Sequence, residues 1–187
     1  MLIDELTAAL RVGEHLDALG VTWLIGGSVA SSLLGEMRAT SDVDLVADLR
    51  LEHVAPLFEK LVAGFYVDQD TMGWAVRERS SFNAIHEASM TKVDVFCAKH
   101  DELSRAQLTR IVVQEAEGHR FPIASAEDIV LQKLIWYRIG GHVSDRQWKD
   151  ALGVVLVHRG ALDRAYMERH AAVAGVDDLL ARLLAAP

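Results

Sequence analysis

Residues 24–45 read Leu24-Ile25-Gly26-Gly27-Ser28-Val29-Ala30-Ser31-Ser32-Leu33-Leu34-Gly35-Glu36-Met37-Arg38-Ala39-Thr40-Ser41-Asp42-Val43-Asp44-Leu45. The mostly apolar run Val21–Ile25 stops at the glycine pair, Ser28 opens a short amphipathic segment, and Asp42 and Asp44 fall inside a second apolar run. The order predicts a buried strand, a tight turn, a helix from Ser28 to Leu34, and a strand over Val43–Ala47. Side chains alternate along a strand, so Asp42 and Asp44 share one face while Val43 and Leu45 take the other. Two like charges side by side repel and are stable only in water or around a cation. Glycines between a strand and a helix start let backbone N–H groups approach an anion, Ser28 adds a hydroxyl donor, and the helix N-terminus favours negative charge.

A third carboxylate, Asp94, lies in the apolar run Lys92-Val93-Asp94-Val95-Phe96. Asp68 and Asp70 are alternatives to it, although Met72-Gly73 just after them reads as a turn. Three carboxylates and a glycine turn are the parts needed to hold a metal–triphosphate complex.

Working outward, residues 2–19 carry leucine and alanine at helical spacing up to Gly20, and Leu51–Val62 repeats that pattern. Residues 63–97 scatter Phe65, Val67, Trp74, Val76, Phe82 and Ile85 between Gly, Asp and Ser, and are read as a meander of short antiparallel strands. Residues 109–124 supply one or two more, over Arg110–Gln114 and Phe121–Ile123. From Ser125, a capping residue followed by Glu127 and Asp128, the texture turns helical. Gly140-Gly141 ends that helix, and Ser144–His158, Leu162–Val173 and Val176–Leu184 give three more. The expected organisation is an α/β core over residues 1–124 and a helical bundle over residues 125–187, packed on or beside it.

With 187 residues, 51 % of them apolar, the chain is long enough to bury a core. No apolar run approaches the roughly 20 residues that span a bilayer, and the start Met1-Leu2-Ile3-Asp4-Glu5-Leu6 lacks the basic residues of a signal peptide. The single cysteine, Cys97, has no internal partner and is read as a small buried apolar residue. A cytoplasmic protein is expected. The net charge of −8 disfavours a general coating of nucleic acid. Locally, Lys133, Arg138, Arg146 and Lys149 against Asp145 form a basic stretch able to face a polyphosphate. The four tryptophans read as packing residues, with Trp136 or Tyr137 candidates to meet a base. The eight histidines show no zinc-ligand spacing with Cys97, no Walker lysine follows the glycines, and no Gly-x-Ser-x-Gly elbow is present.

Gly26-Gly27-Ser28, a thirteen-residue gap and Asp42-Val43-Asp44 resemble the signature of the DNA polymerase β-type nucleotidyltransferase superfamily, hG[GS] followed by DhDh with h apolar. Arg38-x-Thr40-x-Asp42-x-Asp44 is similar to the minimal members, including the AbiEii-like nucleotidyltransferase toxins. Asp94 matches the superfamily's third carboxylate. Further on, the helix carrying Lys133 and the stretch Arg146-Gln147-Trp148-Lys149-Asp150 resemble elements of the AbiEii-like group. The chain departs from that group at Gly153, where another Asp is common, and in an Arg-to-Lys spacing one residue longer.

The resemblance implies an α+β fold, a mixed sheet flanked by helices with a C-terminal helical part. It implies a Mg²⁺- or Mn²⁺-dependent transfer of NMP from an NTP to a hydroxyl of a tRNA, a protein or a small molecule. Asp42, Asp44 and Asp94 would be the catalytic and metal-holding residues, and Gly26, Gly27, Ser28, Arg38 and Lys133 would bind the nucleotide. A toxin-like enzyme would also have an antitoxin partner. The residues leave two other readings open. One is a sugar transferase that uses Asp-x-Asp to hold a nucleotide-sugar diphosphate; the other is a non-catalytic nucleotide-binding or regulatory module. Arg146 and Asp150, four apart, also read as an ordinary surface helix pair.

Overall fold

The computed structural model describes residues 2–37, 40, 42–116 and 118–186, and the fold is α+β. Its elements are α1 (Leu2–Asp17), β1 (Trp23–Ile25), α2 (Gly27–Leu34), β2 (Asp42–Ala47), α3 (Leu51–Leu61), β3 (Phe65–Tyr66), α4 (Gln69–Glu78), β4 (Ser81–His86), β5 (Thr91–Cys97), α5 (Glu102–Thr109), β6 (Val112–Ala116), β7 (His119–Ile123), α6 (Ala126–Ile139), α7 (Asp145–His158), α8 (Arg164–Ala174) and α9 (Asp177–Leu184). They form two compact units, residues 1–26 with 39–123 and residues 27–38 with 124–187.

The first unit is built on a seven-stranded mixed sheet in the order β3-β4-β5-β2-β1-β7-β6. The β2–β5 and β1–β7 pairs are parallel; β1–β2, β3–β4, β4–β5 and β6–β7 are antiparallel. Strict alternation along β2 and β5 buries Val43, Leu45, Ala47, Val93, Val95 and Cys97 on one face. Helix α1 packs against β2 and β5, and α3 and α4 continue the helical layer beyond it. The apolar positions 6, 9, 12 and 16 of α1 fall on its inward stripe and are all buried.

The expected all-strand meander over residues 63–97 is corrected by α4. Met72, Ala75 and Val76 lie at helical spacing on one buried stripe, and Asp68 caps the helix by accepting from the Thr71 N–H at 2.7 Å. The cluster of Asp and Gly that reads as turn punctuation is here a cap followed by a helical Gly73. Helix α5 is also additional to the sequence reading, and starts on Asp101, whose carboxylate accepts from Ser104 N at 2.8 Å.

The second unit packs α2 against α6 and α7, and adds α8 and α9 around α6. Ser125 caps α6 as its sequence suggests, its hydroxyl accepting from Asp128 N at 3.2 Å. Asp128 is fully buried; one carboxylate oxygen accepts from the Ser125 hydroxyl at 2.8 Å and the other from the Tyr166 hydroxyl at 2.5 Å, pinning α8 to the first turn of α6. Helices α2 and α7 approach closely at Gly35 and Gly153. A Cβ on Gly35 would stand 2.8 Å from Val154 N, and one on Gly153 3.3 Å from Glu36 N. Among the described residues, no helix is long and apolar enough to cross a membrane.

Cys97, at the end of β5, is buried, and that burial pushes its thiol up to about 11 from 9.0. A raised pKa keeps the folded thiol neutral, so the thiol favours folding below pH 9 and loses that contribution as pH rises toward 11. At pH 8 the thiolate fraction is about a hundredfold lower than in the unfolded chain. Ellman's reagent is expected to label native Cys97 at least about a hundredfold more slowly than the urea-unfolded protein.

Candidate active site

In the parallel β2–β5 pair, Asp42 is opposite Lys92 and Asp44 is opposite Asp94. Alternation then gathers Asp42, Asp44, Lys92 and Asp94 on the face opposite the buried valines. Adjacent strands lie about 4.8 Å apart, so Asp44 and Asp94 are immediate neighbours across the ladder. Like charges directly opposite each other destabilise a sheet unless something compensates them. Part of the compensation is Lys92, whose Nζ lies 2.9 Å from Asp94 Oδ2 and 3.5 Å from Asp42 Oδ2. The hydrogen bond to Asp94 holds the Lys92 ammonium above the usual lysine range, outweighing the desolvation that acts against it. Half-exposed Asp42 is the more solvated of the two acids; Asp94 is 17 % exposed against 47 %.

Among the described residues, no three carboxylate, imidazole or thiolate side chains already converge as a cage for a metal. The donor set nevertheless suits a hard divalent cation. It consists of carboxylate oxygens on two adjacent strands, with two acids at i and i+2 and the third lateral to the second. The interstrand spacing is compatible with metal–oxygen bonds of roughly 2.1 Å shared between neighbours.

The glycine turn is tied to the acidic strand through its backbone. Gly26 N donates to Asp44 O at 2.9 Å, extending the β1–β2 ladder by one step beyond the Ile25–Leu45 pair. Gly27 follows at φ +57°, a left-handed conformation that glycine adopts without steric cost, and opens α2. Thr40, two residues before the strand, donates its hydroxyl to Asp42 O at 3.1 Å. Arg38 lies outside the described residues. Asp68 and Asp70 take no part in this face: Asp68 is the cap of α4, and Asp70 sits in that helix's first turn. The Thr71 hydroxyl and N–H bonded to Asp68 hold its carboxyl below the usual range.

In the second unit, Ser28, Ser31, Lys133 and Asp150 form one polar cluster. Lys133 Nζ donates to Asp150 Oδ2 at 2.7 Å and to Ser28 Oγ at 3.3 Å. Ser31 Oγ lies 3.0 Å from Ser28 O and 3.4 Å from Asp150 Oδ2. The Lys133 and Asp150 side chains are 4 % and 7 % exposed. Asp150 is thus the buried counter-ion of a lysine on α6, which replaces its reading as half of a surface pair with Arg146. The basic stretch expected around 132–149 shrinks accordingly. Lys133 is paired with Asp150 and Arg138 with Asp178, leaving Arg146 and Lys149 exposed. Tyr137 is buried and stacked on His142, a packing role, while Trp136 is 43 % exposed.

Two of these contacts are not anticipated by the sequence. Lys92 stands at i−2 from Asp94, so its placement on the same face was readable, but its second partner depends on which strand lies alongside. The Lys133–Asp150 pair joins two helices across a loop, and no local periodicity reports it.

No family model matches the sequence, and no curated protein matches it. Solved structures do match. The nucleotidyltransferase-like antigen of Paracoccidioides brasiliensis is 18 % identical with a TM-score of 0.55, over 97 % of this chain and 92 % of that one. ANT(2″)-Ia in complex with adenylyl-2″-tobramycin is 19 % identical with a TM-score of 0.56, over 90 % and 95 %. Lincomycin-bound LnuA, a lincosamide antibiotic adenylyltransferase, is 15 % identical with a TM-score of 0.54, over 82 % and 96 %.

Removing one partner of a buried ion pair leaves the other charge uncompensated, at a cost of about 3–5 kcal/mol. Asp150→Ala is expected to lower the unfolding free energy by about that amount in urea titrations. The double variant Lys133→Met/Asp150→Leu should recover most of the loss. Unchanged stability in Asp150→Ala would show that the pair carries no such weight. The chain has a nucleotidyltransferase-like fold, shared with proteins that adenylylate antibiotics.

Proposed function

We propose that this protein is a divalent-metal-dependent nucleotidyltransferase that moves an NMP from an NTP to a hydroxyl of a small molecule. The observation that carries the reading is the parallel register of β2 and β5, which sets Asp94 beside Asp44 and on the face of Asp42. A non-catalytic module would have no need of three acids gathered at an electrostatic cost on neighbouring strands.

Asp42, Asp44 and Asp94 would hold Mg²⁺, which would neutralise triphosphate charge and acidify the acceptor hydroxyl. Gly26 and Gly27 contribute the turn, and Ser28 with the first N–H groups of α2 contributes donors to the phosphates; the first turn of α2 holds no acidic residue to oppose an anion. Lys133 fixes the Ser28 hydroxyl, and its ammonium reaches a phosphate only by exchanging Ser28 or Asp150 for it. Arg38, which the sequence pattern groups with these residues, would add a cation for the nucleotide. The acceptor oxygen attacks the α-phosphorus in line, its proton passes to Asp94, and the bond to pyrophosphate breaks. A nucleotidylated acceptor and pyrophosphate leave.

Charge favours a small-molecule acceptor over nucleic acid. The chain carries −8, and two of the four cations in its basic stretch are consumed by internal ion pairs. ANT(2″)-Ia holds adenylyl-2″-tobramycin and LnuA holds lincomycin, so neutral or cationic hydroxyl compounds are the first class to test. A second reading rests on the Lys133–Asp150 pair, because it joins the two stretches that resemble the AbiEii-like toxins. On that reading the acceptor is a tRNA or protein hydroxyl, and an antitoxin would be the partner.

The test is incubation with each labelled NTP, Mg²⁺ and cell extract, followed by separation into small-molecule, RNA and protein fractions. Label is expected in the small-molecule fraction. Asp42→Ala and Asp44→Ala should each lower transfer by about a hundredfold or more. Label in RNA or protein would select the second reading, and no transfer by folded protein with any NTP would overturn the enzyme assignment.

A further inference from the structure

Lys92 sits where a cation is electrostatically required. On the face opposite the buried core, β2 contributes Asp42 and Asp44, β5 contributes Lys92 and Asp94, and the adjoining positions of β4 are the uncharged Ser81, Asn83 and Ile85. Among the described residues of these strands, that face thus carries three carboxylates against one ammonium. The ammonium lies between Asp42 and Asp94, 3.5 Å from one and 2.9 Å from the other. We propose that Lys92 is an internal counter-ion of this acidic face, holding Asp42 and Asp94 together until a divalent cation displaces it.

The inference rests on the metal-holding role proposed for these acids. Lys92 Nζ and a divalent cation compete for the same Asp94 and Asp42 oxygens, and they repel each other if both are present. The lysine side chain is 36 % exposed and ends in a compact, strongly hydrated charge on a flexible stem, so it can retreat into water when displaced. Two consequences follow for the loading order. A bare cation meets a face already part-neutralised and binds weakly; a cation arriving with triphosphate oxygens brings additional ligands and wins. Lys92 thereby acts as a positioning residue for the acids and makes metal loading depend on nucleotide.

The experiment measures Mn²⁺ binding to the full chain without nucleotide, by the electron paramagnetic resonance signal of the free ion. Wild type, Lys92→Met, Lys92→Arg and Asp44→Ala are compared, with circular dichroism as the fold check. Loss of a unit charge beside the site is expected to tighten Mn²⁺ binding in Lys92→Met by about tenfold or more. Lys92→Arg should stay near wild type, because the charge is retained. A second readout needs no variant: acetic anhydride should acetylate Lys92 faster, by mass spectrometry, once Mn²⁺ saturates the wild-type protein. Equal or weaker Mn²⁺ binding in Lys92→Met, or acetylation unmoved by Mn²⁺, would overturn the inference while leaving the metal site standing, provided binding is lost in Asp44→Ala. Mn²⁺ binding indifferent to Asp44→Ala would remove the metal site itself, and this inference with it.

Discussion

The parallel pairing of β2 with β5 is the constraint on which the acidic face of this molecule depends. A shift of one residue in that register would turn Asp94 to the buried face among Val43, Leu45 and the helical layer, where a carboxylate has no partner. The apolar half of each strand therefore fixes the acidic half. Burial of Val43, Leu45, Val93 and Val95 locks the alignment, and the carboxylates on the other face inherit their spacing from it. Their mutual repulsion is a local cost carried by the hydrophobic effect on the far side of the same two strands.

Much of this was legible in the residues. The i, i+2 carboxylates in an apolar run, the glycine pair before a helix and the capping serine at 125 are short-range signals, and the elements they mark stand within a residue or two of their expected places. Helix α4 was missed because its cap and its internal Gly73 use the same residue types as turns, leaving only Met72, Ala75 and Val76 to report the helical period. The direction of β5 relative to β2 was not legible either. Alternation gives the faces of a strand but not its neighbour, and so the approach of Lys92 to Asp42 had no local trace. For the same reason Asp150 looked like a surface residue until α6 was known to lie beside α7.

Gly153 sits where α7 runs closest to the segment just after α2. Helices α2 and α7 meet closely, and any side chain at 153 would press its Cβ to 3.3 Å from Glu36 N. That proximity lets Ser31 of α2 hydrogen-bond Asp150, which in turn satisfies the buried ammonium of Lys133. Close packing and charge satisfaction in this unit are thus two sides of one contact.

Helix α2 has a further consequence, which concerns time rather than space. It is made early in synthesis, yet the surfaces that bury Val29, Ala30 and Leu34 belong to α6 and α7. Ser28 waits for a partner 105 residues downstream, and Ser31 for one 119 residues downstream. During translation the nascent chain therefore carries an apolar helix without its cover until most of the protein has emerged, the situation in which partly folded chains are most prone to associate. Completion of the second unit is a late, long-range closure, and the segment that bears Ser28 is among the last to acquire its native surroundings.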